Sequence, residues 1–220
     1  MTENTTAGRS ADLSGRVMRH LLVDRLYHWL TAIAVLVLMA TSFLPIVGWK
    51  FDWVDVHWIS GVVLSLLVLF HIVRALVWQD WRSMLAFGIA DARDIWRGAW
   101  QALGGRGPPP TRPGKYEPLQ KLYHLGVAIL VLAVVASGLL MLLKIDTPWW
   151  RRNPYWFSND TWGVIYAVHG LAAMALVATT IVHIYFALRP DEWHLTRSIF
   201  RGWISGDEYA RHYDPERWKS

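Results

Sequence analysis

The stretch WGVIYAVHGLAAMALVATTIVHIYFAL, residues 162–188, decides the fold. It contains no Asp, Glu, Lys or Arg over more than the roughly 20 residues that cross a bilayer's hydrocarbon core. Its two histidines, His169 and His183, lie 14 positions apart. On an α-helix that separation advances about 21 Å and returns to within about 40° of the starting direction. Both imidazoles therefore leave one helix face, near opposite membrane surfaces. Ionisable groups inside a span are rare and point to function.

Three further apolar runs are of spanning length, about residues 26–47, 57–78 and 119–143. The expected fold is an all-α membrane bundle of four helices forming one domain over residues 1–220, with tails 1–25 and 189–220. The first run follows a polar tail and lacks a small-x-small cleavage pattern, so it reads as a span and not as a signal peptide. Composition agrees, with 54% of the 220 residues hydrophobic and 18% charged, against roughly a quarter charged in soluble domains. Fifteen Trp suit membrane interfaces, where an apolar ring meets a wet edge. Cysteine is absent, which excludes disulfides, iron–sulfur ligation, thiolate zinc sites and c-type haem attachment in this chain.

The net charge of +5 is a topology signal. With the N-terminus inside, only Lys50, Lys144, Arg151 and Arg152 of the 22 Lys and Arg face outward. The positive-inside rule then puts both termini in the cytoplasm of a multi-pass membrane protein. Nucleic acid is not an expected partner, whereas the lipid bilayer is. Between spans two and three, Ile95, Trp96, Ala99, Trp100 and Leu103 share one helical face, which predicts a short helix lying in the membrane surface. The run Gly104-Gly-Arg-Gly-Pro-Pro-Pro110 then breaks it.

His57 and His71 repeat the 14-residue spacing on span two. Spans two and four run in the same direction, so His57 stands level with His169, and His71 level with His183. His28, at the inner start of span one, is level with His183 as well. Opposed histidines in two planes suit bis-imidazole iron coordination, with one haem near each side of the bilayer. Spacing alone leaves His28 and His71 competing for His183. Gly61, Gly170, Ser137 and Gly138 offer room for a flat porphyrin, although small residues also permit close helix packing. Zinc or di-iron sites suit this pattern poorly, because they gather ligands at H-x-x-x-H or E-x-x-H spacing. Arg25, Arg74 and Arg19 stand where inner propionates would lie; Lys50, Arg151 and Arg152 could meet outer ones.

Asp24-Arg-Leu-Tyr-His28-Trp29, His57-x-x-x-Gly61 with Arg74, Gly114-Lys-Tyr-Glu-Pro-Leu-Gln-Lys121, Val168-His169 and Ile181-Val-His183-Ile-Tyr185 together carry a resemblance, as does Ile204-Ser-Gly206 to Arg217-Trp218. Over about residues 16–218 the chain resembles the di-haem cytochrome b subunit of respiratory formate dehydrogenases, a family shared with b subunits of nickel–iron hydrogenases and thiosulfate reductases. The resemblance implies two haem b groups, one ligated by His28 and His183, the other by His57 and His169. It implies menaquinone or ubiquinone reduction beside Tyr116, Glu117, Gln120 and Lys121, and an iron–sulfur partner subunit joined to a catalytic dehydrogenase subunit that would oxidise the substrate. Glu117 stands where that family usually has an amide, and Leu119 where it usually has Gly. A carboxylate at that position could protonate a reduced quinone, or could simply offset Lys121 one helical turn on. A stand-alone transmembrane electron carrier of the cytochrome b561 type is the competing expectation.

Overall fold

A computed structural model describes residues 15–78 and 87–218 of the chain. Arg9, Arg82 and Lys219, which contribute to the charge asymmetry, lie outside the described residues. In chain order the elements are β1 (Arg16–Met18), α1 (Leu22–Phe43), α2 (Trp53–Trp78), α3 (Ile89–Ala102), α4 (Pro118–Met141), α5 (Asn159–Leu188), α6 (Trp193–Arg201), β2 (Trp203–Ser205) and α7 (Gly206–His212). Four of these helices, α1, α2, α4 with its 3-10 extension to Lys144, and α5, are long and apolar enough to cross a membrane.

Local chemistry sets the helix ends. The backbone N–H of Leu21 donates to Asp24 Oδ2 at 3.2 Å, so α1 begins upstream of the purely apolar run. It ends at Phe43 and not Val47, because Pro45 has no N–H to continue the helix and disfavours the α conformation at Leu44. Gly48, at φ 95°, completes the turn. Helix α2 starts at Trp53, which places His57 a full turn inside the helix. Ser158 Oγ accepts from the Thr161 N–H at 3.3 Å and caps α5.

The chain divides into two compact units, one of residues 26–79 and 126–184, the other of residues 1–25, 80–125 and 185–220. The first contains most of the four long helices. Its outward faces are bare hydrocarbon: Leu30 is 53% exposed, Leu66 61%, Ile129 60% and Leu171 74%. In water each such side chain would forgo about 1.5–3 kcal/mol of burial free energy; lipid removes that deficit.

The second unit ties together the two tails. Strand β1 pairs antiparallel with β2 in the register Arg16↔Ser205, Val17↔Ile204, Met18↔Trp203. Val17, Ile204 and Tyr213 form its core, with Leu195, Tyr209 and Trp218 packed around them. Gly202, at φ 92°, ends α6, and its carbonyl accepts from the N–H groups of Arg19 and His20 at 2.8 and 2.9 Å. A Cβ there would stand 2.9 Å from the His20 carbonyl oxygen.

Candidate functional site

Within the span-rich unit the histidines meet in pairs. The His57 and His169 ring centres are 6.4 Å apart, and those of His28 and His183 are 6.3 Å apart. A metal–imidazole bond of about 2.0 Å on each side, plus the ring radii, gives roughly 6 Å between the centres of two imidazoles that share one ion between them. The observed separations match that figure at both ends of the helices. His71 takes a different place: its ring stacks on Tyr27 at 4.7 Å and 11°.

The surroundings of the pairs suit a broad flat group. In an apolar stretch of 18 residues in each span only 6–11% of residues are buried, whereas a helix facing a packed core hides a stripe of about 100°, over a quarter of its surface. A Cβ on Gly138 would come 3.3 Å from His169 Cε1, so glycine lets that ring lie against α4. On Gly61 a Cβ would meet only Leu38, at 4.0 Å. His28 Nδ1 is buried without a hydrogen-bond partner, a state that costs free energy unless another group engages the ring.

Two buried hydroxyls that carried no weight as ligands in the sequence touch the first pair. Thr41 Oγ1 lies 2.8 Å from His57 Nδ1, and Ser137 Oγ lies 3.0 Å from His169 Nδ1. Ser137 was conspicuous only for its size. The available signal was a polar side chain inside an otherwise apolar span.

In the other unit, charged and polar groups are drawn inward. Arg19 is 5% exposed; its Nη2 donates to the Lys115 carbonyl at 3.0 Å, and its guanidinium lies 5.1 Å from the Tyr213 ring centre and 5.6 Å from that of Trp218. Burial, with Glu192 nearby, holds the Glu117 carboxyl above the usual carboxylate range, opposed by Arg19. Burial also raises the Tyr116 hydroxyl and lowers the Lys115 ammonium, the latter assisted by Arg19. It pushes Tyr213 up to about 12, and the Tyr213 hydroxyl meets His194 Nε2 at 3.1 Å.

Gln120 Oε1 accepts from the Glu117 N–H at 3.3 Å. Lys121, the residue able to offset Glu117, pairs with Asp91 of α3 at 3.2 Å. The Arg25 guanidinium donates to the Phe200 carbonyl, and half-buried Arg74 sits in the last turns of α2. The polar side of α3 faces inward, with Asp91 8% and Asp94 7% exposed, while Ile89, Trp96 and Leu103 are 82%, 68% and 84% exposed.

Comparison with known proteins gives this arrangement a context. The chain is similar to the formate dehydrogenase cytochrome b556 subunit of Haemophilus influenzae (strain ATCC 51907 / DSM 11121 / KW20 / Rd). The two are 25% identical over 214 residues, 92% of this chain and 82% of the relative. A cytochrome b family implies haem b, and with four spanning helices the chain is a multi-pass membrane protein. Residues 19–202, from the buried Arg19 to the turn that ends α6, match the model of the prokaryotic cytochrome b561 family, and the chain belongs to that family.

Proposed function

We propose that this chain is the membrane electron-transfer subunit of a respiratory oxidoreductase complex of the bacterial inner membrane. It takes electrons from an extracytoplasmic iron–sulfur subunit, supplied by a catalytic dehydrogenase subunit, and delivers them through two haem b groups to menaquinone or ubiquinone. The observation that supports this most is the pair of opposed imidazole couples, each with ring centres just over 6 Å apart. The similarity to a formate dehydrogenase subunit makes a formate-oxidising partner the first to test.

On this reading His57 and His169 hold one haem, and His28 and His183 the other. Each couple would supply two nitrogen donors to the iron of one haem. When bound, the haems supply the one-electron chemistry. The chain's own side chains fix the height and facing of the imidazoles. Gly61 leaves a flat approach, and Arg25 and Arg74 offer positive charge to propionates. Tyr116, Glu117 and Gln120 hold the quinone head group, and the Glu117 carboxyl, whose hold on its proton is strengthened by burial, gives that proton to the reduced quinone and is reloaded from the cytoplasm. Helix α3 lies in the membrane surface, its bare Trp96, Trp100 and Leu103 turned to lipid. The basic tails stay on the cytoplasmic side.

A pyridine haemochrome assay on the purified protein tests the reading: two haem b per chain are expected, and none or one overturns it. The family's b561 description favours a second reading, a stand-alone carrier. An iron–sulfur protein co-purifying in equal amount decides for the first, and a haem-loaded chain that purifies alone decides for the second.

A further inference from the structure

Hydroxyl groups inside an apolar span need partners, and the partners of Thr41 and Ser137 define their hydrogens. Both side chains belong to buried residues, 3% and 5% exposed. Thr41 Oγ1 lies 2.9 Å from the Val37 carbonyl oxygen and 3.0 Å from that of Leu38. Ser137 Oγ lies 2.5 Å from the Ala133 carbonyl oxygen and 3.3 Å from that of Val134. A carbonyl only accepts, and a hydroxyl has a single hydrogen to give. Carbonyls also accept from the imidazoles, that of Leu38 from His57 and that of Val134 from His169. With Nε2 left to the iron on the haem-binding reading, the imidazole hydrogen lies on Nδ1, and the contacts at 2.8 and 3.0 Å are donated by Nδ1 to the hydroxyl oxygens. A neutral imidazole protonated at Nδ1 carries its free lone pair on Nε2. Hydroxyl and carbonyl together thus favour the same tautomer at both histidines of one couple. At the other couple, His28 Nδ1 has no such partner.

We propose that Thr41 and Ser137 are positioning residues that lock His57 and His169 as Nδ1–H tautomers and, by accepting those hydrogens, strengthen the imidazoles as donors to ferric iron. The midpoint potential of the haem held there is thereby lowered, while that of the haem held by His28 and His183 is not. This inference rests on the haem-binding reading above. Its physical basis is general: a partner on the distal ring nitrogen raises the basicity of a ligating histidine, and a more basic ligand favours the oxidised, more positive iron. With haem bound at both couples, the lowered potential at His57 and His169 would favour passage of one electron toward the couple of His28 and His183. No proton moves and no bond breaks.

The test is a spectroelectrochemical titration of the purified full chain, alone or with its native partners, with haem per chain counted in parallel. The variants are Thr41→Val, Ser137→Ala and their combination, with Thr41→Ser as the conservative control. Such partners change metal affinity by ten- to a hundredfold. In the double variant a loss of about tenfold in ferric over ferrous preference corresponds to a rise of about 59 mV for a one-electron couple. One midpoint should rise by that order, the other should stay fixed, and Thr41→Ser should behave as the native chain. Loss of one haem of two from the double variant, with Thr41→Ser fully loaded, supports the same role. Full haem content with both midpoints unmoved, equal shifts of both, or haem loss from Thr41→Ser as severe as from Thr41→Val overturns it. A native chain without haem would instead remove the reading beneath it.

Discussion

The two compact units differ in where they keep polarity. Between the two histidine couples of the span-rich unit the polar groups are neutral and few, imidazoles and hydroxyls spaced along apolar helices. In the other unit full charges lie inside: Arg19, Asp91 and Asp94 are buried, and Lys121 pairs with Asp91 at 3.2 Å. Isolated charges are too costly at the centre of a bilayer, whereas paired ones are tolerated beside water. On the proposed reading, neutral imidazoles in a low-dielectric stack would serve electron passage and the titratable groups of the other unit would serve proton exchange, the two halves of quinone reduction in different parts of one chain.

The largest expected effect breaks the first half. Replacing His183 with Ala should remove one haem of two and its α-band, leaving the His57–His169 haem; retention of both spectra would refute the ligand assignment. Next, Lys121→Met leaves the Asp91 carboxylate without its cation, and loss of one partner from a buried pair costs about 3–5 kcal/mol. Hydrogen exchange should show α3 opening far more readily while both haem spectra stay unchanged; an undisturbed α3 would mean that the pair contributes little.

Glu117→Gln sharpens the second half of the comparison. General acid catalysis contributes about 10²–10⁴-fold, so quinone reduction should slow by about a hundredfold with haem reduction by the donor intact. Because burial raises the Glu117 carboxyl, the native rate should fall as pH climbs through that raised value, where the proton is lost. The Gln variant should lack this limb, and an unchanged profile would take Glu117 out of proton delivery. The smallest effect belongs to Ser205, which caps α7 by accepting from the Glu208 N–H at 3.2 Å. Ser205→Ala should cost the tail unit about 1 kcal/mol, measured by proteolysis, with no change in either half of the chemistry.

What could be read from the sequence was whatever a bilayer forces into the open. Apolar runs of spanning length and histidines 14 apart are periodic along one helix, so they survive without knowledge of neighbours. The facing of His28 to His183 at 6.3 Å, with His71 stacked on Tyr27 instead, depends on how helices rotate against each other, and spacing alone left it open. Thr41 and Ser137 were hidden for the same reason, since each answers a histidine on another helix. Helix α1 was expected to extend to Val47, beyond the Pro45 that stops it. Strands β1 and β2, three residues each and separated by nearly the whole chain, offer no periodicity to detect. The pairing of Lys121 with Asp91 rather than one turn back along α4 reflects the amphipathic sense of α3, whose charged side turns inward.

The sheet that joins Arg16–Met18 to Trp203–Ser205 also orders events in time. Its second strand leaves the ribosome after every membrane crossing has been made, so its partner near the amino end waits unpaired until then. Closing so long a loop is intrinsically slow. The tail unit consequently matures last, and a ribosome that stalls after α5 releases a chain whose leading segment finds no mate and stays open to proteases.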